Sequence, residues 1–282
     1  MANVLDIDDC NLEEALKLVA TFGSDRYGYV VTPNVDHVIR HYRDRQFRTL
    51  YAQASLVLLD SRFLARTLGL VKRQALRVCL GSDLTTALLE SVIKPLDVVI
   101  LVGGTADQAQ ILRERYGLRT LHHIDPPMRF IRDPMAVERC LHEIEAIGPF
   151  RFCFLAIGSP QQEIVAQKLK ERGIVRGLAL CVGASIDFLT GIERRAPIWM
   201  QKAGLEWLYR LTKNPRRLWK RYLVRGPSIF LLLSRIELRV RKSAAMTAMS
   251  WEVPVSAGPQ KAAPIVTSPV RLSSQIAPPP VA

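Results

Sequence analysis

Between residues 27 and 182 short, almost wholly apolar runs alternate with longer amphipathic stretches, and most runs end in a loop of small or polar residues. The runs span 27–31, 56–59, 76–80, 98–102, 119–122, 152–157 and 178–182; the amphipathic stretches include 35–43, 83–93, 106–116, 134–147 and 161–172. An apolar run without polar alternation suits a strand buried on both faces, and helical periodicity between runs supplies the covers. The pattern predicts an α/β fold, Rossmann-like, with a mostly parallel sheet and helices on both faces. Right-handed crossovers would set the strand C-termini on one edge, where ligands of open sheets bind. Six loops fall there and describe one cleft: 32–34 (TPN), 59–63 (LDSRF), 81–83 (GSD), 103–105 (GGT), 158–163 (GSPQQE) and 183–188 (GASIDF).

Several of these loops carry chemistry. In VVILVGGT a strand, a glycine turn and a helix N-terminus follow one another, so the amides at Gly103 and Gly104 suit a phosphate or simply a tight turn. The dinucleotide fingerprint and the P-loop are both absent, which argues against a nicotinamide enzyme or a P-loop NTPase. GSPQQE repeats the arrangement: Pro160 fits a first helical turn, and Gln162 and Glu163 face the cleft, unless Ser159 and Gln162 form a capping box. Asp60 ends the run ASLVLLD, where a carboxylate can serve as a general base or as the N-cap of a helix opening at Arg62. Spacing does not choose between these. Asp6-Ile7-Asp8 resembles a metal-holding pair, but Asp8 or Asp9 also caps the first helix naturally, and His122-His123 lack a third ligand. No metal site is expected.

The net charge of +13 is unevenly spread. Residues 1–193 hold 23 Lys and Arg against 23 Asp and Glu, whereas residues 194–242 hold 14 against two, Glu206 and Glu237. That basic segment contains Trp199, Trp207 and Trp219 and reads as two helices, about 198–212 and 215–225, started by prolines and stopped at Gly226-Pro227. Interleaved cations and aromatics fit a nucleic-acid surface, a membrane-lying face, or a lid whose arginines meet an anionic substrate. The Pro- and Ala-rich stretch 243–282 lacks the apolar volume to fold alone and is expected to be a disordered tail. The organisation expected is therefore a core over 1–193, a basic membrane-associating appendage over 194–242 and that tail. Five cysteines without paired spacing read as reduced core thiols. With an acidic opening unlike a secretory signal and no run of 18 apolar residues, the expected compartment is the cytoplasm.

TPNVDH, Asp60, GSDL, GG, GSPQQE, VGASIDFLTG, RRAP and W…GLEWLYRL…PRRLWKRYL occur in the order found in one family. Over about residues 5–225 the chain resembles the WecG/TagA/CpsF-type bacterial glycosyltransferases, glycosyltransferase family 26. The resemblance implies an inverting transferase with a Rossmann-like core that needs neither metal nor cofactor. It would move a sugar from a UDP-sugar donor to a polyprenyl-diphosphate-linked acceptor at the inner face of the plasma membrane, in cell-surface polysaccharide or exopolysaccharide synthesis. Asp60 matches the proposed base, and Thr32, Asn34 and Gln162 match substrate-binding positions. Arg210, Arg217 and Arg221 match appendage arginines expected on the substrate diphosphate. UDP is expected against Gly103, Gly104, Gly158, Ser159, Glu163 and Asp187.

Two features depart from that pattern. Ser61 and Arg62 follow Asp60 where the family usually has glycine first, which stiffens the loop and adds a cation. The tail is also foreign to it. A Rossmann-like nucleic-acid-binding protein with an arginine-rich arm is the alternative from another class, and the resemblance turns the reading away from nucleic acid toward an anionic membrane surface. The sugar (hexose, N-acetylhexosamine or uronic acid), the acceptor and the oligomeric state, a homo-oligomer included, stay open.

Overall fold

A computed structural model describes residues 4–22 and 25–242, apart from the side chain of Arg217; the expected tail lies outside the described residues. Strand β1 (Val4–Asp9) lies along one edge of a six-stranded, fully parallel sheet, its backbone joined to it by an isolated bridge between Asp8 and Leu58. That sheet comprises β2 (Tyr27–Val31), β3 (Leu56–Val57), β4 (Val99–Val102), β5 (Leu121–Ile124), β6 (Phe152–Leu155) and β7 (Gly177–Cys181), in the order β3-β2-β7-β6-β4-β5.

Its side chains alternate between two cores. Val31, Ile100, Val102, Cys153, Leu155 and Cys181 face one, where α2 (Val35–Arg43), α3 (Arg45–Ala52), α4 (Arg62–Lys72), α7 (Pro134–Ile147) and α8 (Gln161–Arg172) pack. Val30, Leu101, Phe152, Phe154 and Leu180 face the other, beneath α1 (Leu12–Ala20), α5 (Gly81–Ser91), α6 (Ala106–Tyr116) and α9 (Ser185–Leu189). Burial on both faces is why these strands read as apolar runs.

Four local expectations are corrected. Residues 76–80 form no strand: Cys79 N–H donates to Leu59 O at 3.1 Å and Arg77 N–H to an Asp9 carboxylate oxygen at 3.1 Å, so a loop consumes the amides a ladder would need. Strand β5 starts two residues later than the apolar run suggests, because Arg119 N–H is bonded to Pro95 O and pairing begins at Val99 with Leu121. Asn11, in a capping box with Glu14, caps α1 in place of Asp8 or Asp9. Helix α8 begins after Pro160 with no side-chain cap, so Ser159 and Gln162 form no capping box.

The C-terminal segment breaks where one long helix is expected. Gly204, at φ 76°, ends α10 (Ile198–Ala203) in the left-handed conformation, and α11 (Glu206–Lys213) restarts two residues later. After α12 (Pro215–Trp219), residues Lys220–Arg225 form a π-helical turn, closed by Gly226 N–H to Arg221 O at 2.9 Å. A side chain at Gly226 would meet Tyr222 O at 2.5 Å, so the widened turn needs glycine there. Helix α13 (Ser228–Leu233) then packs against α2 and α4, and β8 (Glu237–Lys242) pairs in parallel with β1.

That last pairing absorbs the Asp6-x-Asp8 motif. Both Asp8 oxygens engage the Arg241 guanidinium, at 2.6 and 2.7 Å, while Val57 N–H donates to Asp8 at 2.7 Å and Arg239 lies 3.6 Å from Asp6. Asp8 is 1% exposed, and burial raises its carboxyl above the ordinary range against the pull of Arg241.

Candidate active site

The C-terminal ends of β2, β3, β6 and β7 open into a cavity of about 510 Å³, roofed by the segment from 195 to 230. Thr32, at the end of β2, donates its hydroxyl to Cys181 O at 3.0 Å and so ties the β2 and β7 exits together. Asn34 caps α2; its Oδ1 accepts from Asp36 N–H at 3.1 Å and from Arg221 Nη2 at 3.1 Å. Gln162 is buried, accepts Gly183 N–H at 3.0 Å and donates to Glu163 at 3.0 Å, which fixes the loop leaving β7. Ser159 accepts from Arg40 at 3.1 Å.

Asp60 sits on this wall with its role as a helix cap taken by its neighbour. Ser61 Oγ accepts Leu64 N–H at 3.2 Å and caps α4, leaving the Asp60 carboxylate to accept Gly81 N–H at 2.9 Å and face the cavity. The serine that departs from the family pattern is thus the cap, and Asp60 is not. Burial pushes the Asp60 carboxyl up to about 7; Glu206 and Asp83 add to the rise, while the Gly81 amide and Arg210 oppose it. His37 also lines the cavity, but burial and then Arg221 push it down to about 3, so it is neutral at ordinary pH. A carboxyl titrating near neutrality is suited to taking a proton from a bound hydroxyl.

Arginines enter from the roof. Arg210 reaches Glu193 at 3.2 Å and lies 5.5 Å over the Phe188 ring, and Arg221 bridges Asn34 and Asp36. The Nε atoms of both are buried without a hydrogen-bond partner among the described residues, that of Arg221 lying 4.0 Å from Asp36, so protein acceptors do not fully satisfy either guanidinium. A second cluster borders Asp60: Arg195 meets Asp83 at 2.5 Å and Glu206 at 4.0 Å, and Arg62 lies 3.9 Å from each of the same two carboxylates. Arg195, Glu206, Trp207 and Tyr222 line the cavity although no role had been expected of them individually; their signal was membership of the RRAP, GLEW and KRYL blocks.

The structure therefore brings Thr32, Asn34, Asp60, Gly158, Ser159, Gln162, Arg210 and Arg221 to one cavity. Arg217 follows Arg216 on α12, but its side chain lies outside the described residues. Gly103, Gly104, Glu163 and Asp187 do not line this cavity. Gly103 N–H is bonded to Ile124 O, and a side chain on Gly103 would meet Ile157 at 2.7 Å, so this turn is set by packing. Asp187 accepts from Gln108 Nε2 at 2.9 Å and joins α9 to α6. Glu163 is fully buried beneath the wall, its carboxyl raised by burial against hydrogen bonds from Gln162 and Ser159. Among the described residues no group of three or more His, Cys, Asp and Glu is placed to hold a metal ion.

Residues 2–243 match the model of the glycosyl transferase WecG/TagA/CpsF family, and the chain belongs to that family.

Proposed function

We propose, from membership of that glycosyltransferase family, that the chain is an inverting, metal-independent enzyme. In this reading it moves a hexose, N-acetylhexosamine or uronic acid from a UDP-sugar to a polyprenyl-diphosphate-linked acceptor during bacterial cell-surface polysaccharide synthesis. The observation that carries this is Asp60, a carboxyl near neutrality on the wall of a cavity that Arg210 and Arg221 also line.

The acceptor hydroxyl gives its proton to Asp60 as its oxygen attacks the anomeric carbon from the face opposite UDP. The bond to the diphosphate oxygen breaks, and negative charge develops on the leaving group. Guanidinium groups preorganised at that position stabilise it where water is scarce. Arg210 and Arg221 are assigned to this charge, with Arg217 as a third cation. Thr32, Asn34 and Gln162 position the sugar. The uridine is assigned to the loops at Gly158–Ser159, with Gly103, Gly104, Glu163 and Asp187 as supports behind the cavity wall rather than contacts.

No helix among the described residues is long and apolar enough to cross a membrane. Association with the inner face of the plasma membrane is assigned instead to the C-terminal segment. Trp199, Trp219, Leu223 and Val224 are 65%, 44%, 56% and 61% exposed amid Lys and Arg, a pairing suited to an anionic interface. The test is a panel of UDP-sugars with a polyprenyl-diphosphate-sugar acceptor, following UDP release and product. Turnover that Asp60→Asn leaves at the parent rate would remove Asp60 from the base role. Sugar transfer and liposome binding that survive removal of the chain from residue 194 onward would sink the assignment of the roof.

A further inference from the structure

The cavity lining mixes two kinds of side chain. Thr32, Asn34, Ser159 and Gln162 are polar; Phe63, Leu223, Pro227, Ile229 and Phe230 form an apolar part. We propose that this apolar part is a groove for the hydrocarbon chain of the lipid-linked acceptor, walled by Phe63 of α4 and Phe230 of α13. This rests on the glycosyltransferase reading of the same cavity.

Three observations carry it. First, Phe63 is three residues beyond Asp60 and meets Phe230 edge to face, ring centroids 6.2 Å apart, so the apolar wall begins beside the reacting end. Second, the π-helical turn presents Arg221, Tyr222 and Leu223 together to the cavity, so a cation and an apolar side chain come from one turn. An amphiphile with a diphosphate head would meet them in that order. Third, α13 is apolar on both of its sides: Ile229 and Leu232 are buried against the core, while Phe230 and Leu231 are 59% and 73% exposed. Large apolar groups left in water at the rim of a site mark a surface that is covered in use. A UDP-sugar is polar along its length and has no part to place there. The acceptor has, and with its diphosphate at Arg221 and Arg210 the strand-end wall at Thr32, Asn34, Ser159 and Gln162 would offer its chain polar groups.

The groove can be tested apart from catalysis by calorimetry on the full-length protein, with geranylgeranyl diphosphate and methyl diphosphate as probes. The parent should bind the isoprenoid at least about tenfold more tightly, the equivalent of a few buried methylenes. Leu223→Ser combined with Phe230→Ser should cut that advantage to about threefold or less, yet leave methyl diphosphate binding within about twofold. Phe230→Leu should keep the advantage, which separates loss of the groove from loss of the fold. So should Leu96→Ser, since Leu96 is 73% exposed at the opposite edge of the sheet, before β4. Equal affinity for the two diphosphates, or an advantage untouched by the double substitution, would overturn the groove and leave the transferase reading standing. Failure to bind either probe would remove both. An oleoyl phosphate that bound as tightly as the isoprenoid would assign the groove to bilayer lipid and overturn the proposal.

Discussion

In β4, β6 and β7 every residue is buried, whereas α10 and α11, within the segment that roofs the cavity, contain no buried residue at all. The strands are held by apolar area on both faces. The roof before α13 is held largely by polar contacts: Arg195 and Arg62 with Asp83 and Glu206, Arg210 with Glu193, Arg221 with Asn34, and Arg66 with the carbonyls of Lys202 and Ala203. Partly exposed ion pairs are individually weak and screened by salt. One wall of the site is therefore fixed by packing and the other by charge, and the two should respond to different perturbations.

The sharpest way to separate them is through chemistry. Asp60→Asn should lower kcat by about 10²–10⁴-fold while the folded state persists, measured by initial rates alongside circular dichroism. Leu180→Ala, in the sheet, should cost about 2–5 kcal/mol of global stability by denaturant unfolding. Arg241→Ala leaves the buried Asp8 unpaired and should cost about 2 kcal/mol, discounted because the arginine is itself partly exposed. Its hydrogen exchange should quicken first at β1 and β8, leaving β6 and β7 protected; equal loosening of all four would erase the distinction between sheet and clamp.

Asp60 links pH to both activity and stability. Transfer should rise as pH increases through about 7, as the base becomes ionised. Because its folded-state value lies above the ordinary 3.8, the stability it contributes is complete below that ordinary value and is lost as pH rises through about 7. Asp60→Asn should therefore gain stability over the parent at about pH 8, by on the order of 1 kcal/mol, and gain little near pH 3. Thermal unfolding at the two pH values measures it. The smallest effect expected is from salt: about 1 M should speed amide exchange in α10 and α11 several-fold and barely change β4.

The same contrast governs what could be read from the sequence. Strands β2, β4, β6 and β7 were legible because double-sided burial writes an uninterrupted apolar run. VLDIDD and ELRVRK at β1 and β8 were not, since each acquires its meaning from the other across more than 200 residues: Asp8 tolerates burial through Arg241. Asp60 was legible as a strand-end carboxylate, but the choice between base and cap depended on Ser61 capping α4. Gly103 and Gly104 looked like a phosphate cradle because a strand-glycine-helix pattern is the same whether its amides are free or, as at Gly103, already bonded. The break at Gly204 lies within a stretch whose apolar spacing runs on as one helix, and it is the left-handed backbone of that glycine that ends α10.

The pairing of β8 with β1 also sets an order of assembly. The first described strand waits for the last, so a growing chain can complete its sheet while the cavity still lacks a roof. Closure comes when residues near 242 reach Asp8. The clamp on Asp8 is thus completed only once residues near 242 have been made, after every strand of the main sheet.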